Sequence, residues 1–251
     1  MIHLTLAVAL MFQSATPPSI SRAMVLPAET KPSYRAHSSP ACSDWRSARA
    51  GKHEDSSLRA GIYRKWVLGY ITGFNIVGPD QSGNLLATAT RDEVYVAIDG
   101  FCQRNPANSV VDAMRPLAEA IISRRGTPAT LQPSSQGKKH STVDAPTTCR
   151  EWVRDGDNNI LRLAYITVLY GYITAYNQWG PGPLGDAIGA DDLPLVEKTI
   201  NGWCSEHPTD LLIGVVTPLI NHVAAERAAG RLPPGGLRPE NGFTRDVPAK
   251  H

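Results

Sequence analysis

Residues 180–185 read Gly180-Pro181-Gly182-Pro183-Leu184-Gly185, the G-x-G-x-x-G spacing with which backbone amides approach a dinucleotide pyrophosphate. That chemistry needs a strand before the glycines and free amides among them. Here a helical pattern precedes them, and prolines fill positions where amides should face phosphate, so the match is rejected. Asp155, Asp157 and Asn159 begin like a calcium loop, but Ile160 stands where the turn glycine belongs and Ile166 where the closing bidentate Glu belongs. The seven histidines (His3, His37, His53, His140, His207, His222, His251) include no pair at metal-ligand spacing on a helix. His207 reads as a loop residue, and the His53-Glu54-Asp55 stretch as a solvated loop. No metal site or cofactor is expected.

Four cysteines, Cys42, Cys102, Cys149 and Cys204, permit three pairings. Zinc would need C-x₂-C or H-x₃-H elements, and none accompanies them. An even count behind an apolar N-terminal run favours disulfides in an oxidising compartment. Paired cysteines are lost as thiolate nucleophiles, and no G-x-S-x-G occurs. The sequence therefore offers no assembled nucleophile, base and oxyanion hole, and the expectation is a protein that is not an enzyme.

The chain matches itself at an offset of 102 residues. Gly69-Tyr70-Ile71-Thr72 falls on Gly171-Tyr172-Ile173-Thr174, Asn75 on Asn177, Gly78-Pro79 on Gly180-Pro181, and Cys102 on Cys204. Pro106 meets Pro208, and Pro116-Leu117 meets Pro218-Leu219. Upstream, Cys42 and Trp45 match Cys149 and Trp152 once five residues are dropped from the second copy. This reads as a tandem duplication of one small domain. Across the copies Asp99 meets Asn201, Asp112 meets Gly214 and Glu93 meets Leu195, so no aligned carboxylate is kept.

The elements that would hold these residues are helical. Residues 58–77 carry Ile62, Trp66, Tyr70 and Phe74 at helical spacing; 161–177 do likewise, and both stop at Gly-Pro. Second helices are expected over 92–103 and 192–205, each closed by a proline shortly after its cysteine. Third helices follow over 109–123 and 209–229, where Pro116 and Pro218 should kink or split them. No strand-type alternation is present, so the expected fold is all-α. Gly69 with Gly73, and Gly171 with Ala175, place small residues one turn apart, a face that lets another backbone approach closely. The cysteines pair most economically within each copy, as Cys42–Cys102 and Cys149–Cys204. Trp45 and Trp152 lie one helical turn beyond the first cysteine and should cover the bridge. Asn75 and Asn177 are expected to cap a helix end.

The domain limits follow. Residues 1–23 resemble a signal peptide, with an apolar run at 4–12 too short to span a bilayer, which takes about 20 residues. Residues 24–41 read as a disordered leader, 42–125 as the first domain, 126–148 as a linker, 149–229 as the second domain and 230–251 as a tail. Twenty-five basic against 23 acidic residues leave a formal charge of +2, which provides no footprint for nucleic acid. No membrane span is expected, and a periplasmic or secreted location is.

The combination Cys-x-x-Trp, an apolar helix holding Gly-Tyr-Ile-Thr-Gly-Phe-Asn, then aromatic-Cys-x-x-x-Pro before a last helix resembles the Rap/Tai-type immunity proteins. These are small periplasmic helical domains that neutralise peptidoglycan amidase effectors of type VI secretion. More loosely, the chain is similar to HdeA-like periplasmic acid-stress chaperones. Either resemblance implies a signal peptide, one bridge per domain and no catalytic residues. The first implies a secreted amidase as partner; the second implies unfolded clients. A scaffold without an assigned task is the third reading. The tandem copies could pack as an internal pseudo-dimer.

Overall fold

The computed structural model describes residues 38–51, 54–78, 85–87, 89–124, 147–180 and 192–231. The expected signal peptide and most of the leader, linker and tail lie outside these residues, as does most of the 180–185 motif. Among the described residues there are eight α-helices and no β-strand: α1 (Cys42–Arg49), α2 (Ser56–Val77), α3 (Arg91–Arg104), α4 (Val110–Arg124), α5 (Cys149–Arg154), α6 (Asn159–Trp179), α7 (Leu193–Glu206) and α8 (Leu212–Ala228). The fold is all-α. A short 3₁₀ turn (Leu85–Ala87) lies between α2 and α3.

Local chemistry sets the helix starts. Thr90 and Glu93 form a reciprocal capping box on α3, and Thr148 with Glu151 does the same on α5. The Asn158 carboxamide oxygen accepts from the amides of Ile160 and Leu161 at the start of α6. At the far ends, Gly78 and Gly180 donate to the carbonyls of Phe74 and Tyr176 at 2.8 and 2.7 Å, and the following prolines forbid continuation.

Two short helices, α1 and α5, precede the three expected in each half. They carry the first cysteines, and their entry is fixed by backbone ties to the loop before the last helix. Cys42 N–H donates to Asn108 and Val110 N–H to Pro40, both at 2.8 Å. In the second half Cys149 N–H donates to Asp210 and Leu212 N–H to Thr147, at 2.8 and 2.9 Å. The disulfides are Cys42–Cys102 and Cys149–Cys204. Each joins the short first helix to the penultimate helix of its half.

Pro116 and Pro218 sit inside α4 and α8, which run through them rather than splitting. An interior proline costs about 3 kcal/mol. Met114, Leu117, Ala118 and Ile121 in α4, and Val216, Leu219, Ile220 and Val223 in α8, are all buried. Burying a large apolar side chain contributes about 1.5–3 kcal/mol, so several together outweigh the lost hydrogen bond.

Each half has its own apolar core, with Trp45, Trp66, Phe101 and Met114 in the first and Trp152, Tyr172, Ile200 and Val216 in the second. The halves meet along α2 and α6, which lie side by side in the same direction. A Cβ on Gly69 would stand 2.0 Å from the Val168 carbonyl oxygen, and one on Gly171 would stand 2.0 Å from that of Trp66. Only a residue without a side chain fits at either point. Gly73 approaches Tyr172 and Ala175 in the same way. No described helix is long and apolar enough to cross a membrane.

Candidate functional site

The first half presents an open groove of about 510 Å³ between α1 and α3, lined by Ser43, Arg46, Ser47, Arg49, Asp99 and Gln103 among others. Helical spacing puts Ser43, Arg46 and Arg49 on one face of α1 at three-residue steps, while Asp99 and Gln103 are one turn apart on α3. The disulfide holds the two helices together at Cys42 and Cys102.

Asp99 anchors the groove's inner wall. Its Oδ1 accepts from the Trp45 indole N–H at 2.7 Å and from Arg49 Nε at 3.2 Å, and its Oδ2 accepts from Arg49 Nη2 at 2.7 Å. The hydrogen bond to Asp99 raises the Arg49 pKa above its usual value, so the guanidinium stays charged. Asp92 and Tyr95 add smaller electrostatic contributions of the same sign. In contrast, the exposed Arg46 guanidinium and the side chains of Ser43, Ser47 and Gln103 have no partner among the described residues. They leave the groove with donors and acceptors that the fold itself does not use.

The second half builds the same indole contact with different parts. Trp152 Nε1 donates to Asn201 Oδ1 at 2.7 Å, and Asn201 occupies the position equivalent to Asp99. The arginine comes from α6: Arg162 Nη2 donates to the same oxygen at 3.0 Å, and its guanidinium lies 3.4 Å from the Trp152 ring centroid. Burial lowers the Arg162 pKa from its usual value. Val153, half exposed, stands where the first half has Arg46. Arg154 instead pairs with Asp155, whose carboxyl is lowered to about 2 by that guanidinium and by the Tyr165 hydroxyl.

Trp45 and Trp152 are fully buried in the same clusters as the cysteines of their halves. Gly69 and Gly171 lie on the contact between halves. Tyr70 reaches across it: its hydroxyl donates to Gln178 Oε1 and accepts from the Trp179 indole at 2.8 Å. Tyr172 stays in its own half, its hydroxyl 2.8 Å from that of Thr217. Asn75 does not cap a helix end. It sits within the last turn of α2, and its oxygen accepts from Leu85 N–H at 2.7 Å, tying the 3₁₀ turn back to the helix. Asn177 is buried within the last turn of α6. Pro106 lines the groove; Pro208 is exposed. His207 closes α7 and stacks on Trp203, with ring centroids 4.2 Å apart.

Sequence comparison missed the indole anchors because Asp99 over Asn201 looks like a lost carboxylate. The retained property is an oxygen that accepts from an indole, which either side chain supplies. The arginines were hidden further, since Arg49 and Arg162 reach equivalent places from non-equivalent helices.

Among the described residues no group of three or more His, Cys, Asp or Glu could hold a metal ion. No family model matches the chain, and no curated protein or solved structure matches it.

Proposed function

We propose that this chain is an exported, non-enzymatic binding protein of the immunity type, built from two copies of one disulfide-closed domain packed as an internal pseudo-dimer. The groove of the first half carries the reading. It is rigidly walled by the Trp45–Asp99–Arg49 cluster, yet it offers Arg46, Ser43, Ser47 and Gln103 outward with their hydrogen-bonding capacity unspent. Such a wall suits a protein partner whose polar side chains complete those bonds. The two bridges support a location in an oxidising compartment, the periplasm or outside the cell.

The pseudo-dimer reading is supported by the reciprocity of the glycine contacts. Gly69 faces Val168 and Gly171 faces Trp66, and the offset of 102 converts each pair into the other. An acid-opened chaperone is less well supported. The groups that meet between α2 and α6 (Trp66, Gly69, Tyr70, Gly73, Gln178, Trp179) carry no charge that acid could remove.

The test is binding and inhibition across the organism's secreted peptidoglycan amidases. One amidase should form a tight complex, and Arg46→Glu should weaken it at least tenfold while leaving the fold intact. Absence of any complex, or a complex indifferent to Arg46→Glu and Gln103→Ala, refutes the reading. Protection of unfolded proteins at pH 2–3 without amidase binding would establish the chaperone instead.

A further inference from the structure

The contact between the halves has two properties that together define a further partner. It is made by helices from different halves of the chain, and no disulfide crosses it, since each bridge closes within its own half. It is also selective for one half against the other. Trp179 packs edge-on against Phe74 at 5.1 Å, donates to the Tyr70 hydroxyl, and lies 5.4 Å under the Arg115 guanidinium. The residue equivalent to Trp179 in the first half is Val77, and the residue equivalent to Gln178 is Ile76. Pairing two first halves would therefore lose the indole and the amide that Tyr70 uses. The seam is built to join a first half to a second half, and nothing among the described residues requires them to come from one chain.

We infer that a second copy of this chain is a partner at this seam: two chains can exchange halves, each α2 packing on the other chain's α6. This rests on the pseudo-dimer reading. The exchanged dimer makes the same α2–α6 contacts as the closed chain, twice over, which is the condition under which swapping costs little. The balance is then set by the effective concentration of one half at the other within a single chain, on the order of 1 mM. At about 10 µM only about 2% of chains should be exchanged, and at about 1 mM about half.

The experiment uses full-length chains carrying two different tags. They are unfolded in guanidinium with disulfides intact, refolded together at about 10 µM or about 1 mM, and separated at once by size with mass measured by light scattering. The expected result is a dimer holding both tags, abundant only after refolding at the higher concentration and absent when folded chains are simply concentrated together. Monomer alone at both concentrations overturns the inference. So does a dimer that forms equally well without unfolding, because that marks an outer surface contact. Hydrogen exchange on the monomer separates this from the underlying reading: protected α2 and α6 amides keep the seam and reject only the exchange, whereas unprotected ones reject the pseudo-dimer itself.

Discussion

Asp155 shows how one carboxylate ties a turn together. The Arg154 guanidinium and the Tyr165 hydroxyl hold it charged down to about pH 2, well below an ordinary aspartate near 3.9. A carboxyl whose folded value is depressed stabilises the fold fully above its unfolded value and loses that contribution as pH falls through the folded one. Asp155→Asn should therefore lower the melting temperature at pH 7, with the gap to the parent shrinking between about pH 4 and pH 2 and closing below it. A gap that persists unchanged at pH 1.5 would mean that packing, not charge, is responsible. A second comparison separates the two indole anchors. Trp45 donates to a charged acceptor and Trp152 to a neutral one, and hydrogen bonds to charged groups contribute about 1.5–3 kcal/mol against about 0.5–1.5 for neutral ones. Trp45→Phe should cost about 1 kcal/mol more than Trp152→Phe in urea denaturation. The partial exposure of Asp99 keeps that excess at the low end. The positions of both tryptophans were legible from the Cys-x-x-Trp spacing. Their partners were not, because a register of identities does not report that Asp and Asn present the same oxygen.

At the scale of elements, the glycines divide by what surrounds them. Gly69 and Gly171 touch the backbone of the opposite helix, and a methyl group there would overlap a carbonyl oxygen that cannot rotate away. Gly202, in the middle of α7, has nothing within 4 Å of where a Cβ would be. Gly69→Ala should destabilise the protein by about 3 kcal/mol or more by forcing α2 from α6. Gly202→Ala should stabilise it by about 0.4–1 kcal/mol, because alanine loses less backbone freedom on folding. Chemical denaturation of the two variants checks both signs, and equal effects would contradict the close approach. The small faces were readable from sequence because Gly69 with Gly73 and Gly171 with Ala175 recur at one-turn spacing. The long helices were readable for the related reason that apolar period accumulates over many residues. Helices α1 and α5, of eight and six residues, are too short for any period to emerge. They are fixed instead by bridges and by backbone ties to distant loops. The role of Asn75 is hidden for a similar reason: nothing local distinguishes an amide that caps its own helix from one that reaches Leu85.

For the molecule as a whole, the arrangement of bonds determines how unfolding spreads. Each disulfide closes a loop of 60 or 55 residues, worth about 4 kcal/mol by the chain-entropy argument. That constraint acts within one half. The cores, however, are not separate: Ala175 of α6 belongs to the first cluster, and Ile76 and Val77 of α2 pack on the second. Losing one half therefore exposes apolar surface belonging to the other, and the two should unfold together. Replacing Cys149 and Cys204 by alanine should cost about 2–5 kcal/mol and leave a single transition. In hydrogen exchange the loss of protection should reach α2 as strongly as α6, although no changed residue lies in the first half. If α2 kept its full protection while α6 opened, the halves would be independent domains that merely touch, and the shared helices would contribute contact without cooperativity. The groove would then survive loss of the second half, because Trp45, Asp99, Arg49 and the Cys42–Cys102 bridge all lie in the first. If protection falls in both, the groove's shape depends on a seam that never touches it. Arg46 would then be positioned as much by Gly171 as by its own helix.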